Sequence, residues 1–247
     1  MTQYGFFFDE SRCCNCHACV VACRDWNNIE PGPVKWLRVL QREEKPFPST
    51  RMRTLFATCY HCEEPVCVDA CDNDALFKEE QFGAVLLDTD KCKGARDCWQ
   101  ACPYGAPQYE DDVPGTPMSK CDMCYERLLE DKLPICVAGC PTRALDFGTL
   151  EELEARYGDL KQLEGMPSAD VAQPAIVFKP INPRKQLVPY NETEALRLMQ
   201  KRPGLPDVFE NFEQVTEIPE GTVGYDRFVL KGKNVAETLA YSKNEEG

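Results

Sequence analysis

No cysteine follows Cys140 in this chain of 247 residues, although all sixteen of its cysteines lie at or before that position. A small secreted scaffold held by disulfides is usually shorter and denser in cysteine. The one-sided distribution argues against that class and divides the chain into a thiol-rich front and a thiol-free tail. Histidine is nearly missing, with only His17 and His61, which leaves little for acid–base chemistry. No glycine-rich phosphate loop follows a predicted strand, and no nucleophile–base grouping stands apart from the cysteines. No apolar run approaches the roughly 18 residues of a membrane helix. Positive charge is scarce: 28 lysines and arginines stand against 41 acidic residues, a net charge of −13. That balance argues against nucleic acid and against electrostatic docking on anionic lipid. The first residues, MTQYGFFFDESRC, offer no basic leader, no long apolar stretch and no twin-arginine pair. They predict a protein without its own export signal. It either stays in the cytoplasm or crosses a membrane folded on a partner that bears a twin-arginine signal.

What is present is a fourfold repeat. Group one is Cys13, Cys16, Cys19 and Cys23, spaced x2, x2, x3. Group two is Cys59, Cys62, Cys67 and Cys71, spaced x2, x4, x3. Group three is Cys92, Cys98 and Cys102, with Ala95 where an x2, x2, x3 run would have its second cysteine. Group four is Cys121, Cys124, Cys136 and Cys140, spaced x2, x11, x3. C-x2-C-x2-C-x3-C followed by proline is the bacterial ferredoxin pattern for cubane iron–sulfur clusters, and Cys102-Pro103 and Cys140-Pro141 carry the proline. In two-cluster ferredoxins the fourth cysteine of a run reaches the other cluster, so each group needs a partner group. Zinc is the competing reading of a lone C-x2-C. Tetrahedral zinc needs no third cysteine followed by x3-C, however, and that ending occurs four times here. The cysteines therefore point to electron transfer rather than to bond chemistry on a substrate.

Other features frame these groups. Residues 36–40 and 53–57, separated by Pro46 and Pro48, predict a hairpin, and residues 83–88 a short strand. Thr149 and Glu152 form a capping box for a helix with Leu150, Leu153 and Tyr157 on one face, ended by Gly158. Residues 175–178 predict a strand, residues 192–202 a second helix and residues 225–230 a last strand. Cys14 is out of frame and reads as an unliganded thiol. His17, His61 and Trp99 read as packing or hydrogen-bonding groups near the cysteines. Arg12, Arg24, Lys91, Lys93, Arg96, Lys120 and Arg143 flank ligand cysteines. They are either a solvated surface or charges that offset and tune clusters.

The sequence resembles the four-cluster electron-transfer subunits of the dimethyl-sulfoxide-reductase type of molybdenum and tungsten oxidoreductases. The matching phrases are QYGFF at 3–7, CPYGAPQY at 102–109, KCDMCY at 120–125 and CPTRALDFG at 140–148. The resemblance covers roughly residues 1–180. It implies an α+β fold of two ferredoxin-like two-cluster modules, with group one paired to group four and group two to group three. It implies a core over 1–148 with an inserted hairpin, completed by 149–180. The tail over 181–247 has no match in the resemblance; acidic, polar and punctuated by proline and glycine, it cannot build a core alone and is expected to extend and wrap a partner or to stay mobile. By the same resemblance, Cys13, Cys16, Cys19 and Cys140 hold a first [4Fe–4S] cluster. Cys121, Cys124, Cys136 and Cys23 hold a second, and Cys59, Cys62, Cys67 and Cys102 a third. Cys92, Cys98 and Cys71 remain for the fourth. Ala95 departs from the dimethyl sulfoxide reductase pattern, which has cysteine there. Nitrate reductase subunits carry tryptophan at that place and a [3Fe–4S] cluster. The expectation is therefore [3Fe–4S] here, the alternative being a fourth iron on water or on Asp97. The implied partners are a large molybdenum or tungsten bis-pterin catalytic subunit and either a quinone-reactive membrane subunit or a soluble carrier. A free-standing polyferredoxin is the rival reading.

Overall fold

Three consecutive phenylalanines, Phe6, Phe7 and Phe8, form the centre of strand β1 (Tyr4–Asp9). An unbroken apolar run in a strand signals burial on both faces, and the computed structural model shows both. It describes residues 2–44 and 51–181. Phe6 and Phe8 point into the main core beside several cysteines. Phe7 points the other way, against helix α6 (Leu150–Tyr157). β1 lies between β8 (Leu145–Thr149), antiparallel to it, and β9 (Ile176–Lys179), parallel to it. Gly5 permits the close approach of this edge, because a Cβ there would stand 2.4 Å from the Ala175 carbonyl oxygen.

The capping box holds α6 in place. The Thr149 hydroxyl accepts from the Glu152 amide at 3.3 Å, and the Glu152 carboxylate accepts from the Thr149 amide at 3.4 Å. Leu150 and Leu153 are buried on the sheet, and the Tyr157 ring stacks on Phe7 at 3.7 Å. The expected hairpin is β2 (Arg38–Glu44) with β3 (Arg51–Ala57). It begins two residues later than residues 36–40 suggest. Trp36 lies before it, its indole donating to the Ser119 hydroxyl at 3.1 Å. Two buried carboxylates tie these parts together. Glu10 accepts from Arg53 at 2.6 Å and from the Thr54 and Ile181 amides. Asp9 accepts from Ser11 and from Lys179 at 2.9 Å.

Smaller elements complete an α+β architecture. β4 (Leu76–Lys78) pairs with β5 (Val85–Leu87), and β6 (Gln108–Tyr109) with β7 (Met118–Ser119). Short helices follow the cysteine loops: α1 (Ala18–Trp26), α2 (Val66–Asp69), α3 (Asp97–Ala101), α4 (Tyr125–Leu129) and α5 (Ile135–Ala138). α1 packs on α5, and α2 on α3. Among the described residues no helix is long and apolar enough to cross a membrane. The helix expected over 192–202 and the strand over 225–230 lie outside the described residues.

Candidate metal centres

The group-one loop bends through two left-handed residues, Asn15 (φ 61°) and His17 (φ 59°). Such positions turn successive backbone N–H groups towards one point, a concavity suited to an anion. His17 then starts α1, which carries Cys19 and Cys23. Cys13, Cys16 and Cys19 line an open hollow, with Cys140 and the out-of-frame Cys14 also on its wall. Cys140 reaches it because β8 follows directly and pairs with β1, which precedes group one. Phe8, Phe56 and Leu145 supply apolar walls. Burial pushes the Cys19 thiol up to about 11, with the charges of Cys140 and Cys13 adding to it. Cys140 is the exception. Burial acts to raise it too, but the Leu145, Ala144 and Thr142 amides and the Thr142 hydroxyl outweigh that and hold it below its ordinary value.

A second hollow is lined by Cys71, Cys92 and Cys98 together with Ala95 and Asp97. Its loop repeats the first. Gly94 (φ 64°) and Arg96 (φ 72°) are left-handed, and Arg96 starts α3 as His17 starts α1. Gly94 is required twice over, since a Cβ there would lie 2.4 Å from the Thr116 carbonyl oxygen. The Met118 amide donates to Cys92 Sγ at 3.4 Å, and the Tyr109 hydroxyl lies 3.4 Å from Cys98 Sγ. Burial, then its contact with Cys98, raises the Tyr109 phenol, so it stays a proton donor. Ala95 is exposed at this wall, where Cys16 stands in the first hollow.

Two further sets, the inner ones, line neither hollow. Cys59, Cys62, Cys67 and Cys102 stand close enough to act on one another. Burial pushes Cys62 up, and the charges of Cys59, Cys67 and Cys102 push it further. The Ala106 amide donates to Cys102 Sγ at 3.5 Å. In the other set, Cys121 and Cys136 are each close enough to Cys23 and Cys124 to feel their charges. Burial, then Cys124 and Asp122, pushes Cys23 up to about 12. The Met123 amide donates to Cys121 Sγ at 3.4 Å, and the Asn27 amide group to Cys23 Sγ at 3.7 Å. Cys59 and Cys121 share one buried cluster with Ala106, so the two inner sets adjoin there. Among the described residues no three His, Cys, Asp or Glu side chains converge as the ligands of one ion would. The thiols line the edges of spaces instead, which suits a polynuclear group seated between them.

The remaining expectations divide. Cys14 is exposed and lies on the wall of the first hollow. His17 is exposed rather than packed. His61 is fully buried; its Nδ1 accepts from the Val85 amide at 2.9 Å. Burial, then the nearby Lys120 and Lys78 charges, holds it well below its usual value and therefore neutral. Trp99, expected to pack, is 53% exposed, because it lies on the outer face of the five-residue helix α3. Of the flanking basic residues only Lys120 is buried, at 4% exposure. The sequence pattern does not single out β1, Tyr109, Asn27 or Asp122. A three-phenylalanine run could have marked β1, but no local signal marks the other three.

Comparison with known proteins agrees with this chemistry. A 4Fe-4S dicluster domain family matches residues 50–150. The B component of anaerobic dimethyl sulfoxide reductase from Shigella flexneri is 43% identical over 187 residues, covering 72% of this chain and 89% of that protein. The corresponding component from Haemophilus influenzae is 37% identical over 189 residues, covering 73% and 90%. The B component of sulfite dehydrogenase from Allochromatium vinosum is 36% identical over 172 residues, covering 62% and 71%. The thiol-lined hollows and these relatives lead to one conclusion: the protein belongs to the family of iron–sulfur electron-transfer subunits that includes the B component of anaerobic dimethyl sulfoxide reductase.

Proposed function

We propose that this subunit holds four clusters in two ferredoxin-like modules and carries electrons along them between a catalytic subunit and a second redox partner. Cys13, Cys16, Cys19 and Cys140 would hold the first [4Fe–4S] group. Cys23, Cys121, Cys124 and Cys136 would hold the second, and Cys59, Cys62, Cys67 and Cys102 the third. Cys71, Cys92 and Cys98 would hold a [3Fe–4S] group. When bound, such clusters supply one-electron transfer at potentials set by charge, hydrogen bonds and solvent. The protein's own residues fix thiol positions, donate amide hydrogens to sulfur and exclude water.

The observation that supports this reading is the makeup of each set. In three sets, three thiols come from one group and the one that joins them comes from another; in the last, Cys92 and Cys98 come from one group and Cys71 from another. In the hollow of Cys71, Cys92 and Cys98 the remaining place is Ala95, which has no donor atom. The relatives named as components of a reductase and a dehydrogenase support a large molybdenum or tungsten bis-pterin subunit as partner. A membrane anchor or a soluble carrier would meet the opposite end, at the Ala95 hollow.

The test is iron analysis with EPR of the oxidised protein. Three cubanes and one three-iron cluster require about fifteen irons per chain and an oxidised [3Fe–4S] signal. Sixteen irons without that signal would defeat the three-iron assignment. Purification of the native complex tests the partner: a stoichiometric large subunit is expected, and recovery of this protein alone would favour the polyferredoxin reading.

A further inference from the structure

We propose that Lys120 and Asp122, the two neighbours of Cys121, set the redox step between the inner cysteine sets by placing opposite charges against them. Lys120 would raise the potential on the side of Cys59, Cys62, Cys67 and Cys102. Asp122 would lower it on the side of Cys23, Cys121, Cys124 and Cys136. The inference rests on the ligand sets proposed above.

The geometry separates the two charges. The Lys120 side chain is buried; its ammonium donates to the Val85 carbonyl and, at 2.9 Å, to the Cys121 carbonyl. Val85 in turn donates its amide to His61, the residue before Cys62. The lysine thus lies beside the group-two loop. Lys78 supports the same side, donating to the Cys62 carbonyl at 3.0 Å. Asp122 turns the other way. Its carboxylate accepts from the Cys124 amide at 2.8 Å, which places its charge beside the group-four loop. Arg127 lies in α4, the helix that Cys124 opens. Its guanidinium is engaged by the Leu133 carbonyl at 2.8 Å and the Trp26 ring at 4.5 Å.

A positive charge favours the reduced, more negative form of a cluster, and a negative charge favours the oxidised form. Water is excluded from this seam, where Cys59 and Cys121 are both buried. Charges there act with less screening than surface charges. The pair therefore favours the electron on the group-two side. A lysine that served only to satisfy two carbonyls, and an aspartate that served only its turn, would leave the potentials where they are.

The test is an EPR-monitored redox titration of the full-length protein in its native complex. The two signals are assigned by Cys23→Ser and Cys62→Ser. Asp122→Asn keeps the acceptor oxygen for the Cys124 amide and removes only the charge. It is expected to raise the potential of the Cys23 set and leave the Cys13 set unmoved. Lys120→Gln is expected to lower the potential of the Cys59 set. Each change should alter the electron equilibrium between the two inner clusters about tenfold, or 59 mV for one electron. Lys120→Gln can fail to assemble, and Asp122→Asn then decides the matter alone. Unmoved potentials, or an equal shift of all four signals, overturn the inference. A parent protein without four cluster signals defeats the ligand reading instead, and the inference with it.

Discussion

The hollow around Cys13 and the hollow around Cys71 are built alike and supplied differently. In each, a loop with left-handed residues feeds a short helix: His17 opens α1 and Arg96 opens α3. Cys16 precedes His17, whereas Ala95 precedes Arg96. The loop conformation at Ala95 therefore does not depend on a thiol there. It depends on Gly94, on the close Thr116 backbone and on the turn into α3. A ligand can be lost from such a loop without loss of the loop. The supports also differ. Behind Cys13 stands the three-stranded sheet with α6; beside Cys71 stand, among the described residues, small hairpins, the short helices α2 and α3, and a core of Leu76, Val85 and Met118.

The largest effect should come from making the two hollows equal. Ala95→Cys is expected to add one iron per chain and abolish the oxidised [3Fe–4S] EPR signal. Persistence of that signal would mean that ligand number does not decide the cluster type. The converse, Cys16→Ala, should create a second such signal at the first hollow.

A smaller effect should separate the supports. Leu153→Ala removes a fully buried contact between α6 and the sheet and should cost about 2–5 kcal/mol in chemical denaturation. Clusters should be lost first at Cys13, since Leu145 and Phe8 line that hollow from the same sheet. Loss first at Cys71 would contradict the division.

Smaller again is the effect of Asp9, which anchors the turn from β1 into the group-one loop. Burial acts to raise its carboxyl, but Ser11 and Lys179 outweigh that and hold it below its ordinary value. Its folded value lies below its unfolded one, so its stabilisation is full above the unfolded value, about pH 4. It is lost as the pH falls through the folded value. Asp9→Asn should cost about 1–3 kcal/mol at neutral pH and flatten the acid limb of a stability–pH curve. An unchanged acid limb would rule Asp9 out as its source. The smallest change is Thr149→Ala, which removes the cap of α6 and should lower denaturation stability by about 1 kcal/mol without altering any EPR signal.

Much of this is legible in the residues because the information is local. The capping box at Thr149 and Glu152 specifies a helix start by hydrogen bonds three residues apart, and α6 begins at Leu150. The β2–β3 hairpin follows from two β-rich runs, although its edge is displaced because Trp36 finds Ser119 instead of a strand partner. β1 is not legible in the same way. A run without alternation carries no face preference, and only the arrival of α6 on one side and the cysteine core on the other explains it. Trp99 misleads for the opposite reason: its neighbours suggest packing, but it lies on the outer face of a one-turn helix, half-exposed among the described residues.

The sequence by itself determined how many thiols each loop offers, at what spacing, and that position 95 offers none. Those are properties of covalent connectivity, and no folding can alter them. The tertiary structure decided which distant cysteine stands beside each loop, which spacing alone leaves open and the sequence indicated only through resemblance, and which flanking charge is buried. Cys140 stands with Cys13, Cys16 and Cys19 because β8 pairs with β1 across more than a hundred residues of sequence. Lys120 differs from the lysines and arginines beside other cysteines because β5 presents a carbonyl to it inside the core. Spacing cannot carry that information, since long-range pairing is set by the burial of β1 and its neighbours and not by the loops themselves.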